Sequence, residues 1–425
     1  MPLNLSRRRS LLALTALATV AVTIAAYIFV TAGEAPEVSG RVAYVVDGNL
    51  FIKELPDGEP RQITNENNVH RPEWSPTGES LAYSTEDPVR AVGDTKAWIT
   101  NAATGETREA GFPPVWAPNR DYLIEPGEEF GVMTVTTADG QLIRRIERGL
   151  RPYRVEWTAD GEAVIYIHFE RLADFEDGVG IRVLNLNSGT DELLFTVFDR
   201  PSFLRWSSDG QYLFFGDGDA FKFLSVESGE VDEVEFPLVL DSGDQIQRPG
   251  GSSILAVETT LDALWGGKRI GLLEPEDGSF AYLTNPEVAA IHPRWSPDGQ
   301  QIAYEANPDR SDAPSPTAPD EVEALLEDRH IWIMDADGSN QRQVTADPRY
   351  RDEDPEWTAD GEHLLFARVD LEFPDNDPSL WLLNVSTGNL TQLVEAMSYS
   401  PQRESLLPEG TSFLGTVDWL YDFHP

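Results

Sequence analysis

The six histidines His70, His168, His292, His330, His363 and His424 and the eleven tryptophans are the side chains of this sequence best suited to metal binding or ligand stacking. His70 and His292 stand out because each comes just before a recurring Trp, although their registers differ by one residue. A zinc or manganese centre wants three or more converging ligands. Two histidines predict no metal site, and no cofactor is expected. Asp335-x-Asp337-Gly338 matches the opening of a calcium loop but lacks its downstream bidentate Glu, so it reads as a turn. The 73 Asp and Glu residues will place some carboxylates side by side, but proximity alone does not make a general acid and base. No Gly-x-Ser-x-Gly, phosphate-binding loop or His-Glu-x-x-His occurs, and there is no cysteine to serve as nucleophile, thiolate ligand or disulfide partner. No catalytic residue is assigned.

The chain has 425 residues, is 40% hydrophobic, and carries a formal net charge of −41. That sign argues against nucleic acid or an anionic lipid surface as the main partner, since both would be repelled. A solvated acidic face is the simplest reading of the charge.

The first 32 residues differ in kind. Arg7, Arg8 and Arg9 precede an uncharged apolar run over residues 11–32. As a helix this run would be ~33 Å long, enough for a ~30 Å hydrocarbon core. A secretory hydrophobic region is usually shorter, so the run predicts a signal anchor with the N-terminus inside and everything after a linker at 33–40 outside the cytoplasm. Cleavage after Ala32, giving a secreted or periplasmic protein, is the alternative.

A repeat positions the rest. It reads RPEWSPTGESLAY from Arg71, RVEWTADGEAVIY from Arg154, FLRWSSDGQYLFF from Phe203, HPRWSPDGQQIAY from His292 and DPEWTADGEHLLF from Asp354, with a weaker PPVWAPNRDYLI from Pro113. Each copy is a β-hairpin: a turn ending in Gly, which accepts positive φ, and then a β-branched and aromatic strand apolar enough to be buried on both faces. A second hairpin alternates with the first, turning at pairs such as Asp57-Gly58, Thr104-Gly105, Asp277-Gly278 and Thr387-Gly388, with short strands such as RQIT, AYLT and RQVT after the turn. Four strands, A to D, make one unit.

The W-S-P-D-G-x-x-I-A-Y pattern followed by I-W-I-M-D-x-D-G resembles the repeat of the TolB-like, WD40-like (PD40-type) β-propellers, over nearly all of residues 41–425. The resemblance implies an all-β propeller of four-stranded blades. About 48 residues per unit favours eight blades, with seven as the alternative. The N-terminal segment opens at a B-like strand, so the two chain ends are expected to share a blade, the C-terminus supplying strand A near residues 403–407. One large aromatic per blade at one register is what blade packing needs, which makes the repeat tryptophans core rather than stacking platforms.

In this fold the A strands surround a channel. The residues just before each repeat Trp are therefore the candidate binding residues at one channel mouth: His70, Arg71, Arg151, Tyr153, His292, Arg294, Asp352 and Asp354. Insertions after His168, after Asp370 and between residues 307 and 329 add loops to the ring. The function expected is that of a monomeric, membrane-tethered extracytoplasmic scaffold binding a protein or envelope polymer. A lyase or hydrolase centred on the channel, acting on a sugar or acidic substrate, is the alternative.

Overall fold

The structure is a computed structural model and describes residues 38–86, 95–110, 115–126, 132–146, 155–168, 179–197, 201–217, 220–234, 239–240, 246–259, 269–285, 289–307, 329–373, 377–398 and 421–424. The apolar run at 11–32 and the candidates Arg151 and Tyr153 lie outside the described residues. Among the described residues no helix is long and apolar enough to cross a membrane.

Residues 40–425 form one compact unit. Its strands pair into eight separate antiparallel sheets, seven of four strands and one of five. Blade 1 joins the two ends of the chain, with Tyr421–His424 as strand A beside Arg41–Val46, Asn49–Glu54 and Arg61–Gln62. Blades 2 to 8 follow in chain order, their inner strands beginning at Val69, Val115, Val155, Pro201, Val239, Ala289 and Tyr350. The eight-bladed reading holds. The closing strand is Tyr421–His424, not a segment near 403–407, which lies outside the described residues. Blade 6 departs from the repeat: two short strands, Val239–Leu240 and Ile246–Gln247, share the A position, and Gln247 stands where six blades have Trp and blade 1 has Phe423.

The repeat residues make the A–B turn by hydrogen bonding. In WSPDG the Ser296 hydroxyl accepts from the Gln301 amide (2.9 Å) and donates to Asp298 (2.6 Å). Thr358 and Asp360 reproduce the donor contact at 2.6 Å, and Ser207 and Asp209 reproduce both contacts. The turn glycines Gly299 and Gly361 sit at φ 65° and 68°, where a Cβ would be strained. The Thr that ends RQIT, AYLT and RQVT has a matching role. Thr64, Thr284 and Thr345 each accept an amide at the start of strand C, from Leu50, Ile270 and Ile331, at 2.9–3.0 Å.

Packing runs between blades. Successive side chains of a strand face opposite sides of its sheet. Ile302 and Tyr304 of blade 7 therefore join Leu255, Val257 and Ile270 of blade 6, while Ala303 joins Phe366 and Leu383 of blade 8. This double burial explains why B strands such as Ala163–His168 and His363–Asp370 are almost wholly buried, while D strands such as Arg61–Gln62 and Arg342–Gln343 are exposed. Inner strands of successive blades touch, so the A strands ring the axis and the D strands form the rim. Three rim arginines clip one blade to the next: Arg61 donates to the Ala102 carbonyl, Arg108 to Ala138 (2.7 Å) and Arg144 to Leu186 (3.0 Å).

Five of the six repeat tryptophans (Trp74, Trp157, Trp206, Trp295 and Trp357) are buried, and Trp116 is half-buried. Three also bond across the blade boundary, their indole N–H donating to the preceding blade: Trp74 to the Asp422 carbonyl (3.2 Å), Trp157 to Val115 (2.9 Å) and Trp357 to Arg294 (3.1 Å). They are core, as expected.

Candidate functional site

Strand pairing fixes which inner-strand residues share a level. Glu73 lies opposite Ala82, Glu156 opposite Ile165, Arg205 opposite Phe214, Arg294 opposite Ala303, Glu356 opposite Leu365 and Asp422 opposite Ala43. Val115 and Ile246 take this place in blades 3 and 6. Each precedes the repeat Trp or its substitute. Because the Trp side chain turns toward the preceding blade, its neighbour turns toward the following one. Glu156 accordingly meets Arg205 of the next blade at 2.5 Å, and Arg294 meets Asp354 at 3.4 Å. Glu356, Asp422 and Glu73 occupy the same level on three successive blades and form an acidic arc.

The carboxyls of the arc are raised above their ordinary values. Burial, with Asp422 adding repulsion, pushes the Glu73 carboxyl up to about 8. Burial also lifts Asp422 to about 7, Asp354 adding to the rise while the amides of Trp74 and Phe423 oppose it. Glu356 is raised well above the usual carboxylate range by burial, Asp422 and Asp354, against the pull of Arg294. Glu73 is exposed to solvent, and Asp422 and Glu356 are half-buried.

Just before this level the inner strands of blades 2, 7 and 8 bulge. Arg71, His292 and Asp354 occupy the bulge, each followed by Pro, at φ 52°, 47° and 54°. Positive φ is unusual for these residue types, and bulges re-aim side chains where pairing is interrupted. Arg71 is exposed; His292 and Asp354 are half-buried. His292 is therefore equivalent to Arg71, and Arg294 to Glu73. His70 lies one step earlier, level with Ile291, and is buried at 4% exposure.

Behind the bulges of blades 7 and 8 lies a buried ion network. Glu305 is fully buried, meets His292 Nδ1 at 2.6 Å, accepts from Arg329 at 3.0 Å, and receives the Asp354 amide at 2.6 Å. Arg329 also donates to Glu353 at 2.5 Å, which Arg351 meets at 2.9 Å. Burial alone would raise the Glu305 carboxyl, but His292 and Arg329 bring it down to about 2. Asp352 faces a different way. It is fully buried between blades 7 and 8, clamped by Arg368 at 2.6 and 3.0 Å, with its carboxyl held below the usual range by His330 and Arg368 against the effect of burial. Glu305, Arg329 and Glu353 escaped the sequence reading. The signal was a charged residue inside QIAYEAN, a strand that must be buried on both faces.

Of the eight candidates, the structure brings Arg71, His292 and Asp354 to one bulge position, Arg294 beside Asp354, and His70 next to Arg71. It buries Asp352 between blades 7 and 8. The three insertions leave from the B–C connections of blades 4, 7 and 8, after His168, Asn307 and Asp370. In an antiparallel hairpin the start of strand A lies beside the end of strand B, so these connections and the inner-strand bulges share one face of the ring. Among the described residues no group of three or more His, Asp or Glu side chains is arranged to hold a metal ion.

No protein-family model and no curated protein sequence matches the chain. Solved structures do. One is a eukaryotic initiation factor at 14% identity, covering 84% of this chain and 86% of that chain with a TM-score of 0.55. Another is dipeptidyl peptidase 4 from Porphyromonas gingivalis at 9% identity, covering 85% and 58% with a TM-score of 0.55. The fold is a β-propeller. TolB from Acinetobacter baumannii is also similar, at 14% identity and a TM-score of 0.37 over 71% of this chain, and the match spans 62% of that TolB chain. The eight sheets of the described residues fit the propeller expected from the repeats.

Proposed function

We propose that the chain is an extracytoplasmic propeller scaffold, tethered by residues 11–32, that engages a protein or envelope-polymer partner on the face bearing the inner-strand bulges. The observation that carries this reading is the closed eight-sheet ring, in which the chain's own ends pair as Arg41–Val46 with Tyr421–His424. Closure removes two exposed sheet edges and leaves a stiff frame whose variable parts are its connections. On one face that frame displays Arg71, His292, Arg294 and Asp354, a mixed-charge set on a strongly acidic chain. A concave wall with a few convergent polar groups is a default ligand site.

The test is site-specific photo-crosslinking in living cells with the full chain. A probe at Arg71 should give a discrete adduct that is absent with the probe at Glu192 on the exposed rim strand Asp191–Val197. Adducts at the rim alone, or none at Arg71, would reject this face as the binding surface.

A further inference from the structure

The strand that closes the ring is only four residues long, and acids gather where it docks. Asp422, in its middle, accepts the Trp74 amide of blade 2 at 2.5 Å. That amide nitrogen is joined to Glu73, so the two carboxyl groups belong to directly adjoining residues across the seam. On the other side the Tyr421 hydroxyl donates to the carbonyl of Asp354, which shares the blade 8 inner strand Tyr350–Trp357 with Glu356. The short strand is therefore bracketed by Glu73 on one flank and by Asp354 and Glu356 on the other. Among the described residues, the other ionisable groups around it are His70 and Arg71 on Val69–Trp74, Arg41 and Tyr44 on its pairing partner, His424 at its own end, and Arg294 and Glu305 from blade 7, which act on Tyr421. Arg41 lies over the Trp74 ring at 4.6 Å, and His424 tilts against the same ring at 5.7 Å.

We propose that this acidic arc makes closure of the propeller pH-sensitive, with strand Tyr421–His424 docked firmly in mildly acidic surroundings and loosened above neutrality. Protonated, Asp422 still offers an oxygen to the Trp74 amide and feels no repulsion from its neighbours. Ionised together, Asp422, Glu73, Glu356 and Asp354 repel one another across both flanks of a four-residue strand. The sign follows from linkage. Groups whose carboxyls are raised on folding stabilise the closed ring fully below their unfolded values, near 4, and lose that contribution as the pH rises through about 7 and about 8. Acid would tighten this ring, whereas the buried Glu305 network behaves in the opposite sense.

The experiment is hydrogen–deuterium exchange on the full chain at pH 5 and pH 8, corrected for the intrinsic pH dependence of amide exchange, with thermal unfolding alongside. Exchange in residues 41–44 and 421–424 should be about tenfold faster at pH 8 than at pH 5, the other blades changing less. Glu73→Gln with Glu356→Gln should keep the seam protected at pH 8 and flatten the thermal response. Asp422→Asn, which mimics the protonated acid, gives a second route should that pair fail to fold. It should make the pH 8 seam exchange like the native seam at pH 5. A charge-matched rim control, Glu192→Gln with Glu230→Gln, should retain the native response. Equal seam protection at both pH values, loosening spread evenly over all blades, or flattening by the rim control would overturn the proposal.

Discussion

Trp357 belongs to the cluster that joins blade 7 to blade 8, and its indole bonds to the Arg294 carbonyl. Replacing it with Ala should cost about 3–5 kcal/mol, as large aromatic deletions in cores do. Trp116, half-buried and in the weakest copy of the repeat, should lose measurably less in the same denaturant titration. Arg329 makes a different case. Its side chain is 4% exposed and bridges Glu305 and Glu353, so Arg329→Met would leave two carboxylates buried without their counter-charge. Breaking a buried pair from one side costs about 3–5 kcal/mol. Neutralising Glu305 and Glu353 to Gln in the same chain should recover part of that loss. No recovery would mean that Arg329 acts by packing alone.

At the scale of the element, the strand that joins the two chain ends matters most. Ending the chain at residue 420 removes Tyr421–His424 and with it the partner of Arg41–Tyr44, the acceptor of the Trp74 amide and one indole bond. A calorimetric scan of the truncated chain should show the whole unfolding transition moved to lower temperature, because an open ring unpairs the edge of Arg41–Val46 and uncovers the flanks of blades 2 and 8. An unchanged main transition with only an added low-temperature shoulder would show that blade 1 frays independently. The sequence pointed to a shared blade but misplaced its strand A. Elsewhere strand A is marked by the Gly turn that joins it to strand B. In the closing blade strand B lies some 380 residues away at the other end of the chain, so Tyr421–His424 carries no turn signal. The charged residues of the inner strands were visible individually, but their levels were not. Bulges in blades 2, 7 and 8 shift the register between His70 and Glu73, Ile291 and Arg294, and Glu353 and Glu356. Grouping all the residues that precede Trp as one set therefore pooled Arg71 with Arg294, which lie at different levels.

For the molecule as a whole, two opposed groups of carboxyls set the response to acid. Glu305 and Asp352 are held below their ordinary values, so their contribution is present above the unfolded value near 4 and is lost as the pH falls toward 2. Stability measured by denaturant titration should accordingly fall on going from pH 5 to pH 2.5. Glu305→Gln should blunt that fall and lower stability at pH 7. The topology expected from Arg7, Arg8 and Arg9 is tested separately. A C-terminal reporter active only in the cytoplasm should be silent, and one active only outside should report, if residues 11–32 anchor the chain with its propeller exported.

The repeats alone determined the class of the fold, the core role of the tryptophans and the sharing of a blade by the chain ends, and they favoured eight blades over seven. Each is a matter of local chemistry repeated: a turn that needs Gly, a strand apolar on both faces, one aromatic per unit. Tertiary structure decided which side chains face one another around the axis. Glu356, Asp422 and Glu73 come from residues near 356, 422 and 73, and no periodicity links Asp422 to the others because its strand lacks a turn. Only ring closure places the C-terminal strand between the first and last Trp-bearing inner strands, turning three separate acids into one arc.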